Sequence, residues 1–84
     1  MIIKVSKILG EQIFLRAEII KLRDEILKLN DKEIILDFEG VSFLTRAAAD
    51  ELKKVINFLE SKNYKIEMIN LSGEPQQMFL LVKK

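Results

Sequence analysis

Residues 34–52 read IILDFEGVSFLTRAAADEL, and this stretch decides the predicted fold. It begins with an apolar run without alternation, typical of a central strand that is buried on both faces of a parallel sheet. That run ends in an acid, and Gly40 indicates a turn after it. Thr45 is a good N-cap for a following helix, because its hydroxyl can accept a hydrogen bond from a free backbone N–H. The stretch therefore predicts a strand, a turn and a helix in close succession.

The remainder of the chain repeats this unit on either side, which suits one small domain over residues 1–84. Apolar residues at three- and four-residue spacing predict a first helix whose core stripe is Leu15, Ile19, Leu22, Ile26 and Leu29. In the last helix we expect Ser72 to be the cap and Pro75 to lie in the first turn. The predicted strands are 2–6, 33–38 and 64–71, and the predicted helices are 11–29, 45–61 and from about 72 to near 82.

The two flanking strands alternate apolar and polar residues, which indicates that one face is buried and the other is exposed to solvent. Parallel strands joined by right-handed crossovers place all helices on one face when strand order follows chain order. We therefore predict a three-stranded parallel sheet of that order. Its other face would carry an apolar strip of Ile2, Ile35 and Ile69. Such a strip with two open sheet edges predicts a weak homodimer through the sheet face or an edge strand.

Residues 34–44 resemble the signature of the STAS fold, the fold of bacterial anti-sigma factor antagonists. The pattern there is apolar strand, Asp, apolar, any, Gly, Val, any, Phe, apolar, and all of it is present here. The resemblance extends over about residues 2–82 and implies an α/β fold of the STAS-like type. That fold is a (βα)3 right-handed superhelix, with a small parallel sheet and helices mainly on one face. Residues 45–51 are also similar to the helix start of STAS-like domains of unknown function.

The resemblance ends at the family's switch, because its phosphorylated Ser falls on Arg46 and the preceding Asp falls on Thr45. It implies a non-enzymatic regulatory protein–protein interaction module that docks near the turn before the second helix and lacks the usual phosphorylatable Ser. A histidine-kinase-type ATPase is the partner class it implies. The alternative is a sensor domain for a small anion or a nucleotide. A remnant enzyme is a third and weaker reading.

Five residues are candidates for partner or anion binding, and each also has a purely structural interpretation. Asp37 ends the central strand, where open α/β sheets place functional groups, but it can equally accept N–H groups of the following turn. Thr45 is either a helix cap or a phosphate acceptor. Arg46 opposes the helix dipole, so it is either an anion-docking residue or an ion-pair partner of Asp50 or Glu39.

Small residues after Arg46 predict a flat patch at which Ala47 faces outward, with Asp50 one turn further along the helix. Asp50 and Glu51 are adjacent, so we expect their side chains to point apart. Five Phe in so small a domain leave apolar area that a partner can cover.

Composition excludes several classes of function. The chain has no Cys and no His, which removes thiol and imidazole catalysis and the usual zinc sites. Its three glycines are isolated, so no phosphate-cradling loop is present, and we expect no cofactor and no enzymatic activity. A net charge of +1 with both signs dispersed argues against nucleic-acid binding. No apolar run approaches the length needed to span a bilayer, so we expect no membrane insertion and a cytoplasmic location.

Overall fold

Short parallel strands and the helices that connect them make up the structure, a computed structural model that describes residues 1–82. Along these residues the elements are β1 (Ile2–Lys4), α1 (Val5–Leu9), β2 (Gln12–Ile13), α2 (Arg16–Leu27), β3 (Glu33–Asp37), β4 (Phe43–Leu44), α3 (Arg46–Ser61), β5 (Lys65–Ile69) and α4 (Gly73–Leu81).

The main sheet has the order β1-β3-β5, and both of its strand pairs are parallel. These are the three strands that the sequence predicts, so the α/β class and the parallel sheet in chain order are confirmed. One face of the sheet packs into the hydrophobic core through Ile3, Ile34 and Leu36, together with residues of α2 and α3. A strand face that packs on helices needs apolar side chains, which explains the alternation in the flanking strands.

The other face of the sheet is more exposed, but its predicted apolar strip is interrupted. Ile2 and Ile35 are neighbours in register, and the third residue of that row is Glu67. In the next row Ile69 lies beside Asp37. Ile2 is 60% exposed and Ile69 is 39% exposed. Ile2 and Ile69 therefore share this face as expected, but charged side chains separate them, and a continuous strip is a wrong prediction.

The first strand is shorter than predicted, because residues 5–9 form the helix α1 instead of extending it. Val5 and Leu9 are four residues apart, and both are buried in the core. Residues four apart lie on the same face of a helix, so a helix lets both side chains enter the core. The Gly10 N–H donates to the Ser6 carbonyl at 2.8 Å, and Gly10 has a φ of +87°, which a side chain would disfavour.

The first long helix begins five residues later than predicted, at Arg16. Ile13 is instead fully buried in β2, which pairs in parallel with β4. The Glu18 carboxylate accepts hydrogen bonds from the N–H groups of Phe14 and Leu15 at 2.8 and 2.9 Å, and this caps the helix start. Of the predicted core stripe, Leu15 is 61% exposed and Leu29 is partly buried. The central residues are fully buried as predicted: Ile19, Leu22 and Ile26.

The second half of the chain follows the prediction more closely. The helix at residues 46–61 matches, with Ala48, Leu52, Val55 and Leu59 buried and Ile56 partly buried. The third predicted strand shortens to β5, and the last helix spans Gly73–Leu81. Pro75 lies in its first turn as expected. Ser72 occupies the cap position without a side-chain hydrogen bond, so the predicted capping role of its hydroxyl is wrong.

Candidate functional site

The two-stranded sheet of β2 and β4 brings the starts of α2 and α3 side by side. The two strands are parallel and each leads directly into its helix, so both helix N-termini lie at the same edge of the molecule. The Thr45 N–H donates to the Ile13 carbonyl at 3.1 Å and extends this pairing to the helix start. Each helix begins with an arginine, Arg16 in α2 and Arg46 in α3.

Thr45 is the N-cap of α3, as the sequence predicts. Its hydroxyl oxygen accepts a hydrogen bond from the Ala48 N–H at 3.1 Å. The same hydroxyl donates to the Phe14 carbonyl oxygen at 2.7 Å, so it also bridges to the residue before the cap of α2. Both the proton and a lone pair of this hydroxyl are therefore occupied by structural hydrogen bonds.

Arg46 is exposed and forms no ion pair with any acid among residues 1–82. The two partners expected for it are engaged elsewhere. Asp50 pairs with Arg16 and Lys54, and Glu39 lies 3.7 Å from Lys4. The structural interpretation of Arg46 as an ion-pair residue is therefore wrong for the described chain.

The small residues after Arg46 do not form the outward patch that the sequence predicts. Ala47 is half-buried, while Ala48 and Ala49 are fully buried. Small side chains here let the first turns of α3 pack closely in the core. Ala47 is thus only a minor part of any surface beside Arg46.

Arg16 joins two carboxylates of α3, a contact that the sequence does not predict. Its Nη1 lies 2.7 Å from Asp50 Oδ2 and 3.3 Å from Glu51 Oε1. The expectation that Asp50 and Glu51 point apart is therefore wrong, because both reach the same guanidinium. The hydrogen bond from Arg16 is the main cause that lowers the pKa of Asp50, and Lys54 at 3.4 Å adds to it. The pKa of Arg16 is raised, chiefly by Asp50 and then by Glu51.

Asp37 stabilises the turn that follows the central strand, which is the structural role considered for it in the sequence analysis. It is only 6% exposed, and its Oδ1 accepts hydrogen bonds from Asn70 Nδ2 at 2.8 Å and from the Glu39 N–H at 2.9 Å. Lys4 Nζ lies 3.5 Å from its other oxygen. These contacts lower the pKa of Asp37, with the Asn70 hydrogen bond as the largest cause and the Glu39 N–H as the next. None of its contacts is with Thr45 or another candidate on α3.

An exposed apolar surface adjoins the starts of the two helices. We call it the end surface and define it by Phe14, Leu15, Phe43, Met78 and Leu81. The Phe14 and Phe43 rings are 5.5 Å apart at an interplanar angle of 49°, the tilted geometry favoured by aromatic pairs. Phe14 is 49% exposed, and Leu15 and Leu81 are each 61% exposed. Phe43, Met78 and Leu81 line one groove, which connects the aromatic pair to α4.

The sequence indicates that some aromatic surface remains outside the hydrophobic core, but it does not indicate where that surface lies. Other aromatic side chains have a cation near the ring. Phe58 lies under the cations of Arg23 and Lys62, at 5.9 and 5.6 Å from its ring centroid. The Lys53 ammonium lies 4.8 Å from the centroid of Phe79. The aromatic pair of the end surface has no such cover within residues 1–82. The signal that could have located it is the repeat of an aromatic residue just before each helix start.

Two classes of site are absent from the described part of the chain. Residues 1–82 contain no group of three or more His, Cys, Asp or Glu side chains that could hold a metal ion. No helix among them is both long enough and apolar enough to cross a membrane.

No protein-family model, no curated protein and no solved structure matches this chain at a significant level. The resemblance to STAS domains therefore remains a prediction that depends on the motif residues.

Proposed function

We propose that the chain is a non-enzymatic regulatory protein–protein interaction module of STAS-like type, without the usual phosphorylatable Ser. It binds its partner with the end surface and with Arg46, at the edge where α2 and α3 begin. The observation that carries this proposal is that Phe14 is exposed and accepts a hydrogen bond through its carbonyl from Thr45, the residue before Arg46, and that Arg46 has no ion pair within residues 1–82.

The composition of this surface supports protein docking. Aromatic side chains and arginine are enriched at the centres of protein interfaces, and they contribute most of the binding free energy there. Large apolar side chains that stay contiguous and exposed are a common mark of such interfaces. The Phe14 and Phe43 rings already contact each other, which reduces the conformational entropy that the pair loses on binding.

The charges near the surface specify the chemistry of the partner. Asp50 and Glu51 are already paired with Arg16, so Arg46 is the cation left to attract a partner group. We infer that the partner presents a carboxylate for Arg46 next to an apolar cleft that accepts Phe14. A guanidinium and a carboxylate that lose water together can form two parallel hydrogen bonds, which fixes orientation as well as charge.

The STAS-like assignment has two supports. Helices connect the parallel strands β1, β3 and β5, which agrees with a (βα)3 arrangement. The other support is the motif of residues 34–44. After it the chain departs from the family, because Arg46 stands at the position of the switch residue. In this proposal the cation takes part in docking constitutively, and no phosphate gates the contact. A histidine-kinase-type ATPase is the partner class that the resemblance implies.

A sensor for a small anion or a nucleotide is the second candidate, and it is favoured by the exposed and unpaired state of Arg46. Two observations weigh against it. Arg16 is engaged by Asp50 and Glu51, so Arg46 alone would have to balance the several negative charges of a nucleotide, whereas one guanidinium suffices for one carboxylate. Arg46 lines none of the three grooves described for residues 1–82, and a small ligand usually binds in a concave site.

The experiment compares matched surface variants in binding to a partner from the native host, identified by photo-crosslinking and mass spectrometry. Phe14→Ser and Arg46→Glu should each weaken binding of that partner about tenfold or more. Phe58→Ser and Lys21→Glu are the matched controls, an exposed aromatic residue and an exposed cation away from the surface, and both should bind normally. Circular dichroism establishes that all four variants fold.

Two results would contradict the docking proposal. One is equal binding by Phe14→Ser, Arg46→Glu and their controls. The other is a nucleotide or phosphate that raises the melting temperature of the wild type but not of Arg46→Glu, in the absence of any protein partner. The second result would support the sensor instead.

A further inference from the structure

The outer edge of β1 is an open strand edge at the side of a groove. β1 is the terminal strand of the sheet, and its only strand neighbour within residues 1–82 is β3. The Met1 carbonyl accepts from the Ile35 N–H at 2.8 Å. Alternate residues of a parallel strand bond to the same neighbour, so Ile3 also faces β3, and the N–H and C=O of Ile2 point away from it. Open edges of this kind pair readily with another strand.

The groove beside this edge has a volume of about 580 Å³ and is mostly apolar. Ile2 and Ile3 form one side of it, and Ile8 and Leu29 lie on the helical side. Ile2 is 60% exposed, so the same surface offers both an apolar groove and an apolar side chain to fill one. A contact that uses one patch on both molecules requires this self-complementarity.

Charges of opposite sign lie toward the two ends of the groove. Lys7 belongs to α1, which follows the C-terminal end of β1 directly. Glu25 is near the end of α2, which returns the chain to the start of β3. That start adjoins the N-terminal end of β1, since the Met1 ammonium donates to the Glu33 carbonyl at 2.9 Å. Lys4 and the Met1 ammonium also line the groove, but they are paired with Asp37 and Asp31. Lys7 therefore remains as the cation toward one end of β1, and Glu25 is the anion toward the other.

We propose that a second copy of this chain occupies the groove, with its β1 antiparallel to the first across a two-fold axis near Ile3. Antiparallel pairing places Lys7 of each copy opposite Glu25 of the other, which is the arrangement that the charge order favours. The Lys4 N–H of each copy then donates to the Ile2 carbonyl of the other, because the Lys4 carbonyl already begins α1, and the two three-stranded sheets become continuous. Strand pairing over three residues is short, so we expect a weak dimer with a dissociation constant in the micromolar range or above.

This dimer is independent of the proposed function, because its residues lie on β1, α1 and the end of α2 and not at the starts of α2 and α3. Arg46→Glu should leave dimerisation unchanged, and the charge reversals described next should leave partner binding unchanged. Failure of one proposal therefore does not imply failure of the other.

The test is sedimentation equilibrium of charge-reversal variants at tens to hundreds of micromolar. Lys7→Glu and Glu25→Lys should each weaken dimerisation about tenfold or more, because each places like charges opposite one another. An equimolar mixture of the two single variants should restore association, since every reversed residue then meets an opposite charge on its neighbour. An interaction within one chain cannot produce that rescue. Glu25 also lies 3.7 Å from Lys28 of the same chain, and Glu25→Lys removes this pair. Lys7→Glu leaves it in place.

Isoleucine variants separate this edge from the rest of the sheet. Ile2→Lys should abolish the dimer, whereas Ile69→Lys, an exposed isoleucine on the opposite edge strand, should leave it intact. A wild-type monomer at every concentration would overturn the proposal, and so would a mixture of single variants that fails to associate. Loss of the dimer in Ile35→Lys and Ile69→Lys, but not in Lys7→Glu, would overturn it in favour of packing between sheet faces.

Discussion

The Thr45 hydroxyl donates a hydrogen bond to the Phe14 carbonyl oxygen across 2.7 Å and thereby ties the start of α3 to the segment that leads into α2. The same hydroxyl caps α3 through the Ala48 N–H. One side chain thus holds the two helix starts at the spacing on which the end surface depends.

Removal of this hydroxyl should destabilise the fold. Thr45→Val keeps the shape of the side chain but loses the cap and the bridge to Phe14, so we expect unfolding to become easier by about 1–2 kcal/mol. Urea denaturation measures the change. Thr45→Ser retains the hydroxyl and is the control, with a smaller loss. Equal stability of the Val and Ser variants would show that the two hydrogen bonds contribute nothing.

Phosphorylation at the family's switch position should not occur. Arg46 stands at that position, and the neighbouring Thr45 hydroxyl is occupied by two hydrogen bonds. Phosphorylation of Thr45 would have to break both of them. Intact mass spectrometry of the protein from its native host should therefore show no species heavier by one phosphate. A stoichiometric phosphate on Thr45 would contradict this prediction.

Loss of the Arg16 guanidinium should raise the pKa of Asp50. Arg16 is the main cause of its lowered pKa, so in Arg16→Met the pKa should move back toward the ordinary value of an Asp. Lys54 stays 3.4 Å from Asp50 in that variant and keeps part of the effect. NMR titration of the side-chain carboxyl carbon measures the pKa. Arg23→Met, on the same helix but paired with Asp24, is the control and should leave Asp50 unchanged.

Asp37 should make the fold sensitive to acid. Its pKa is lower in the folded chain than in the unfolded chain, so the unfolded state binds the proton more readily. The stabilisation by its carboxylate is present above about pH 5 and is lost as the pH falls through the unfolded-state pKa of about 3.9 toward the lower folded-state value.

Comparison of the wild type with Asp37→Asn isolates this contribution from those of other acids. The wild type should be more stable than the variant at neutral pH, and the difference should shrink below about pH 4. Urea denaturation across that range measures it, with Asp24→Asn as a control for the loss of one negative charge. A difference that stays constant into strong acid would mean that the Asp37 charge has no role in stability.

The sequence predicts the three main strands and the helix α3, because each of these segments is long enough for its pattern of apolar residues to be recognised. The run of apolar residues in β3 and the helical spacing of Leu52, Val55 and Leu59 are examples. The Thr45 cap and the turn role of Asp37 follow from local chemistry of the same kind, and both are present in the structure.

What the sequence does not predict depends on contacts between distant residues. β2 and β4 have two residues each, which is too short for a period to be visible. Ile13 is a strand residue because it pairs with Leu44, and nothing next to Ile13 in the chain reveals that. The bridge from Arg16 to Asp50 follows from the same pairing, since it exists only once the two helix starts lie side by side.

Each strand pair described in residues 1–82 is parallel, and its members are roughly thirty residues apart in the chain, as in Ile2 with Ile35 or Gln12 with Phe43. No hairpin is therefore available as a local starting point for folding, and each pairing requires the closure of a long loop. The helices α2 and α3 can form within their own segments before any strand is paired. We expect this chain to fold more slowly than a helical bundle of equal length, with contacts between the two helices preceding the closure of the sheet.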